Sequence, residues 1–169
     1  LACALANGRS LGPWQAHGTW PVAYADGEMA LDGMLERLHG MSAGPNLRIL
    51  NHEALFHLAG RVLNIAEEET QQALLALCLE GGFRVLVLDN LSCLASGMAE
   101  NDADAWERVK PWLLTMRRHK VAVIIVHHAG RNGEARGTSK REDDVLWVLR
   151  LDAVDGDKAG ADRQARFAS

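Results

Sequence analysis

Apolar residues occur along the chain in two patterns, as short continuous runs and as runs with three- and four-residue spacing. The continuous runs predict five strands, at residues 20–25, 47–50, 83–88, 121–126 and 144–151. The spaced runs predict helices at residues 29–41, 67–80 and 102–119, and residues 1–7 are expected to end a helix at Gly8. Pro111 is expected to kink the helix 102–119 or to split it in two.

The alternation of strands and helices predicts an α/β fold. The run VAVIIV at Val121–Val126 is entirely apolar, which is typical of a parallel strand that is covered on both faces. We therefore expect a doubly wound, mostly parallel sheet with helices on both faces, in three layers.

Polar residues follow three of the predicted strands. They are Asp26-Gly27-Glu28, Asp89-Asn90 and His127-His128. Ligands of doubly wound sheets lie beyond the carboxyl ends of the strands, so these residues are the candidate site. The alternative for a single carboxylate such as Asp89 is that it only caps the following helix.

Each of these residue types suits a step in phosphate chemistry. Asp89, at the end of a buried strand, is a suitable ligand for Mg²⁺, bound directly or through water. Glu28 can orient or deprotonate a water molecule. His127 can hydrogen-bond a phosphate, whereas a solvated loop residue is the favoured interpretation of His128. A zinc site made of His127, His128 and Asp89 is disfavoured, because adjacent residues of an extended chain point apart.

Composition and charge refine this picture. The 169 residues carry a net charge of −4, and no run of 18 apolar residues predicts a membrane-spanning helix. Three widely spaced cysteines suggest reduced thiols in a cytoplasmic protein. Residues 117–141 contain seven bases, three histidines and one acid. Such a basic stretch within an acidic protein can serve phosphate groups.

The basic residues Arg131, Arg136, Lys140 and Arg141 lie among glycines and serines after His128. Guanidinium groups on a flexible backbone suit contact with the phosphates of a nucleotide or of a nucleic acid. A solvated surface loop is the alternative.

Four segments together resemble one protein family: YADGEM at 24–29, VLVLDN at 85–90, the run from VAVIIVHH to SKRED at 121–143, and VLWVLRL at 145–151. They are similar to the RecA-like ATPases of the AAA type that include the RepA-like hexameric replicative helicases of plasmids. The resemblance covers roughly residues 20–151. It implies that residues 1–151 form a partial P-loop NTPase core and that residues 152–169 are a degenerate or truncated C-terminal tail.

The resemblance implies roles for the residues at the strand ends. Asp89, with Asn90 beside it, is similar to the Walker B aspartate that holds Mg²⁺ through water in the ATP site. Glu28 is similar to the catalytic glutamate that polarises the attacking water. His127 is similar to the sensor near the γ-phosphate, and Arg136 matches an arginine that contacts the γ-phosphate or anchors the structure.

The resemblance also implies partners. The loop with His128, Arg131, Lys140 and Arg141 is similar to the segment that faces a central channel or a neighbouring subunit, where single-stranded DNA passes. The implied assembly is a homo-oligomer, a hexameric ring, that couples hydrolysis of Mg-ATP to translocation along DNA or to its unwinding during replication. No membrane partner is expected.

The chain departs from the family in its phosphate-binding motif. No G-x-x-x-x-G-K-[ST] run occurs in the 169 residues. Residues 1–6 resemble the helix that follows this motif, so we expect the motif and the first strand to precede Leu1. The chain alone is then expected to bind nucleotide weakly or not at all, and to be inactive. The alternative function is a non-catalytic RecA-like module with a regulatory or assembly role.

Overall fold

The structure is a computed structural model of the 169-residue chain. It describes residues 1–95, 103–127, 145–153 and 165–168. The chain divides into two compact units, Leu1–Arg136 and Gly137–Ser169.

The first unit alternates helices and strands along the chain. Its elements are α1 (Ala2–Asn7), β1 (Val22–Asp26), α2 (Leu31–Met41), β2 (Leu47–Asn51), α3 (His52–Ala59), α4 (Glu68–Glu80), β3 (Val85–Asp89), α5 (Leu91–Leu94), α6 (Ala103–Arg118) and β4 (Ala122–Ile125). The second unit contains β5 (Arg150–Ala153) and β6 (Ala165–Ala168), which pair antiparallel.

Strands β1 to β4 form one parallel sheet in the order β2-β1-β3-β4. Consecutive parallel strands need crossover connections, and helices supply them here. Because β2 and β3 lie on opposite sides of β1, the chain reverses its direction across the sheet after β2. The predicted α/β fold with a doubly wound parallel sheet is confirmed.

Helices cover both faces of this sheet. On one face, Val22, Val85 and Val87 pack with Ala2 and Ala6 of α1. On the other face, the alternate strand residues pack against α4, α5 and α6, and this larger cluster includes Leu86, Leu88, Leu74, Val109 and Met116. Full burial of each such leucine contributes about 1.5–3 kcal/mol to the free energy of unfolding. The two clusters pack against opposite faces of the sheet, so the strands are held from both sides.

Helix α6 runs through Pro111 as one helix. Its buried residues lie on both sides of the proline, with Trp106 and Val109 before it and Trp112 and Met116 after it. This packing holds both halves in one element, although the proline removes a helix hydrogen bond. Of the two expected effects of Pro111, the split is therefore wrong, and the kink stays a prediction.

Two further expectations differ from the structure. Helix α3 lies in a segment for which the apolar pattern gave no element, and it has no buried residue. The predicted strand 144–151 is also wrong over most of its length, because β5 begins only at Arg150. Leu146 and Trp147, before β5, are 83% and 62% exposed, so the apolar run does not form the buried strand that its composition suggested.

Among the described residues, no helix combines the length and the apolar composition needed to cross a bilayer.

Candidate functional site

The strand register brings the predicted site residues to one edge of the sheet. Asp26 at the end of β1 lies beside Asn51 of β2 and Asp89 of β3. After β4, the Val126 N–H donates to the Leu88 carbonyl (2.9 Å) and the Leu91 N–H donates to the Val126 carbonyl (3.0 Å). His127 directly follows this junction. Glu28, Asn90 and His127 therefore follow strand ends at the carboxyl edge, and Asp89 ends its strand there.

The β1–α2 turn is joined directly to the end of β3. The Gly27 N–H donates to the Asp89 carbonyl at 2.7 Å. A Cβ atom at Gly27 would lie 2.9 Å from the Leu94 side chain and 3.0 Å from Cβ of Cys93. Only a glycine allows this close approach between the turn and α5.

Asp89 is partly buried and accepts a hydrogen bond from the Tyr24 hydroxyl. Burial, and then the hydrogen bond and negative charge of Asp89, raise the pKa of Tyr24 far above its usual range. The hydroxyl therefore remains protonated at neutral pH and remains a donor. One carboxylate oxygen of Asp89 thus has a donor that is anchored within the sheet.

Glu28 is exposed and accepts a hydrogen bond from Nδ2 of Asn90. Asn90 is only 2% exposed, and its Oδ1 accepts from the Cys93 N–H at 3.0 Å as the N-cap of α5. The peptide bond between Asp89 and Asn90 is cis. Asn90, expected beside the cofactor, therefore links Glu28 to α5. Its contact with a cofactor stays a prediction.

Asp26 is 1% exposed and supports the turn from within. Its carboxylate accepts from Nδ2 of Asn51 at 2.8 Å and from the Met29 N–H at 3.2 Å. Burial raises the pKa of Asp26, while these hydrogen bonds oppose the rise. Its surroundings make Asp26 part of the support for Glu28, rather than a group that is open to a ligand.

Three residues of this edge were absent from the sequence interpretation: Tyr24, Asn51 and Glu53. Tyr24 lies two residues before Asp26, so the period of a strand places both on one face. Asn51 is the polar residue that ends the apolar run of β2, the same signal that identified Asp89. Glu53 had no signal, because its contact with the Leu31 N–H (2.6 Å) depends on the fold.

The predicted residues of the basic loop cannot be placed in the same way. His128, Arg131, Arg136, Lys140 and Arg141 lie outside the described residues. Their roles stay predictions.

The carboxylates of this edge suit a hard cation that is bound together with a phosphate ligand. Among residues 1–95, 103–127, 145–153 and 165–168, no group of three or more His, Cys, Asp or Glu side chains is placed to hold a metal ion. Mg²⁺ commonly takes only one or two carboxylates, and the remaining ligands are phosphate oxygens and waters. Asp89, partly buried with one oxygen already bonded to Tyr24, fits that use.

Comparison with known proteins identifies a protein family. A family model described as an AAA domain matches residues 1–134, and this range includes the whole parallel sheet with Glu28, Asp89, Asn90 and His127. No curated protein matches the sequence.

The close approach at Gly27 predicts a loss of stability in Gly27→Ala. Overpacking of this kind costs about 1–3 kcal/mol in the free energy of unfolding, measured by denaturant titration. Gly40→Ala in α2 is the matched control, because a Cβ there meets no atom within 4 Å. It should gain about 0.5–1 kcal/mol. Equal effects of the two substitutions would contradict the tight packing of the turn.

Burial of Asp26 predicts a dependence of stability on pH. Its pKa is raised in the folded chain, so its contribution is complete below the unfolded pKa of about 3.9 and is lost as the pH rises through the folded value. The stability advantage of the unmodified chain over Asp26→Asn should therefore shrink across this interval, as measured by denaturant titrations at several pH values. Asp32→Asn removes a carboxylate from an exposed position of α2 and is the control substitution. An advantage over Asp26→Asn that grows with pH would contradict the prediction.

Proposed function

The chain belongs to the AAA domain family, and from that premise we propose that it is part of an ATP-hydrolysing, DNA-associated motor of the RepA-like replicative helicase type. The observation that carries the proposal is the junction of two carboxylate-bearing turns at the carboxyl edge of a parallel sheet. There Gly27 and Asn90 hold Glu28 next to the segment that bears Asp89.

The residues of this edge divide the work of phosphoryl transfer. Asp89 would hold Mg²⁺ through water, and the bound ion would neutralise charge on the β- and γ-phosphate oxygens. Glu28, exposed in the turn between β1 and α2, would orient the attacking water and take its proton. His127 would hydrogen-bond the γ-phosphate. Tyr24 and Asn90 keep the two carboxylates in place.

Charge distribution supports an association with DNA. Residues 117–141 contain seven Lys or Arg residues and one acid, which gives this stretch a net charge of +6 with histidine neutral. Lys and Arg that neutralise DNA phosphates release counterions, which favours binding. We propose single-stranded DNA as the partner and a homo-oligomeric, hexameric ring as the assembly, with Arg136 as a candidate contact of the γ-phosphate.

A second candidate is a non-catalytic RecA-like module with a regulatory or assembly role. The sequence favours it in one respect, since the 169 residues contain no G-x-x-x-x-G-K-[ST] run to cradle the phosphates. The two candidates differ in whether the full-length protein hydrolyses ATP.

Substitution of Glu28 tests the proposed catalytic role. In the full-length protein, Glu28→Gln should abolish ATP hydrolysis and leave nucleotide binding unchanged, because the amide cannot take a proton from water. A phosphate-release assay and a nucleotide titration measure the two quantities. Glu36→Gln, at an exposed position of α2, is the matched control and should retain activity. Undiminished turnover in Glu28→Gln would remove Glu28 from the mechanism.

Neutralisation of the basic loop tests the proposed contact with DNA. Arg131→Ala combined with Arg141→Ala should weaken binding of single-stranded DNA and lower the steepness of its salt dependence by about 1.4, since each phosphate contact to a single strand contributes about 0.7. Fluorescence anisotropy at several salt concentrations measures both effects. Arg117→Ala with Arg118→Ala removes the same charge from the exposed end of α6. If the two double variants lose equal affinity, the loop makes no specific contact.

A further inference from the structure

Asn51 makes more hydrogen bonds than its role as a helix cap requires. It ends β2, precedes α3 and is 4% exposed. Its Oδ1 accepts from the Ala54 N–H at 3.0 Å, which is the capping bond. Its Nδ2 donates to Oδ2 of Asp26 at 2.8 Å and to the Met29 carbonyl at 2.7 Å. Capping alone would leave these two donors to solvent.

The two additional bonds enclose the turn that bears Glu28. Asp26 precedes Gly27 and Glu28, and Met29 follows them directly. The Met29 N–H also donates to the Asp26 carboxylate at 3.2 Å, so the turn closes on itself and Asn51 bridges both of its ends. Movement of Glu28 through its backbone would break hydrogen bonds of the buried residues Asp26 and Asn51.

The first turn of α3 also holds the start of α2. Ala30, the residue before α2, provides no side-chain cap. Oε2 of Glu53 accepts from the Leu31 N–H at 2.6 Å and takes that role. Asn51 therefore holds the segment 26–31 at Asp26 and Met29, and Glu53 holds it at Leu31.

We propose that Asn51 is a positioning residue for Glu28, an inference that rests on the proposed function of Glu28 as the group that orients water. Asn51 does not touch the reacting atoms and acts through Asp26 and Met29. Its loss loosens the turn without altering the groups that contact nucleotide. The expected signature is a lower kcat with an unchanged KM, because orientation of the water contributes to the transition state.

Asn51→Ser separates positioning from capping. Serine retains an oxygen that caps α3, and it lacks the two amide donors. In the full-length protein, kcat for ATP hydrolysis should fall about 10- to 100-fold, the scale of a misplacement near 1 Å, with KM changed less than about twofold. Asn64→Ser is the control, since Asn64 accepts from the Ala66 N–H (3.1 Å) and donates to Glu67 (3.0 Å) in a local turn. It should leave both parameters unchanged.

Hydrogen exchange of this chain without nucleotide supplies a readout that does not depend on activity. In Asn51→Ser the amides of Met29 and Leu31 should exchange faster, while the capped Ala54 amide keeps its protection. Asn64→Ser should exchange like the unmodified chain in all three. If Asn51 only capped α3, Asn51→Ser would leave the exchange of Met29, Leu31 and Ala54 unchanged.

Each outcome decides for or against the positioning role of Asn51. Unchanged exchange at Met29, or a raised KM with unchanged kcat, would overturn it. If the unmodified full-length protein lacks turnover, the proposed function fails, and exchange at Met29 alone decides whether Asn51 holds the turn. If Asn51→Ser does not fold, Asn51→Thr is measured instead, because threonine also caps a helix. Failure of both variants to unfold cooperatively would make Asn51 a determinant of the fold and overturn the proposal.

Discussion

The main-chain hydrogen bond from the Gly27 N–H to the Asp89 carbonyl is the contact on which this edge of the sheet depends. It joins the turn after β1 to the end of β3, and both of its groups belong to the main chain, so rotation of a side chain cannot lengthen it. Glu28 and Asn90, the next residue on each side, are brought together by the same contact. The position of Glu28 is thus a consequence of sheet register, transmitted through one glycine.

Three carboxylates gathered at one edge need donors, because buried or closely spaced negative charges are costly. Each has a partner: Tyr24 donates to Asp89, Asn51 to Asp26 and Asn90 to Glu28. These donors are neutral, so they fix the carboxylates without cancelling their charge. Carboxylates that are held in this way suit a cation that is bound together with phosphates.

The strands of the parallel sheet could be predicted from the sequence, since the apolar run of β3 is buried and that of β4, although only partly buried, packs against both core clusters. The polar residues at the strand ends could be predicted as well, because parallel strands end at one edge. The partners of Asn51 and Glu53 could not be predicted, because they are 20 or more residues away and depend on register. The predicted strand 144–151 was wrong because an apolar run indicates a strand only where neighbouring elements cover it.

We propose that this edge holds Mg²⁺ and ATP between Asp89 and Glu28. A crystal structure of the full-length protein with Mg²⁺ and a non-hydrolysable ATP analogue is the decisive measurement. We expect the γ-phosphate at the carboxyl edge, Asp89 linked to the ion through water, and Glu28 within hydrogen-bond distance of an in-line water. An analogue bound elsewhere, or one bound at this edge without contact to either carboxylate, would contradict it.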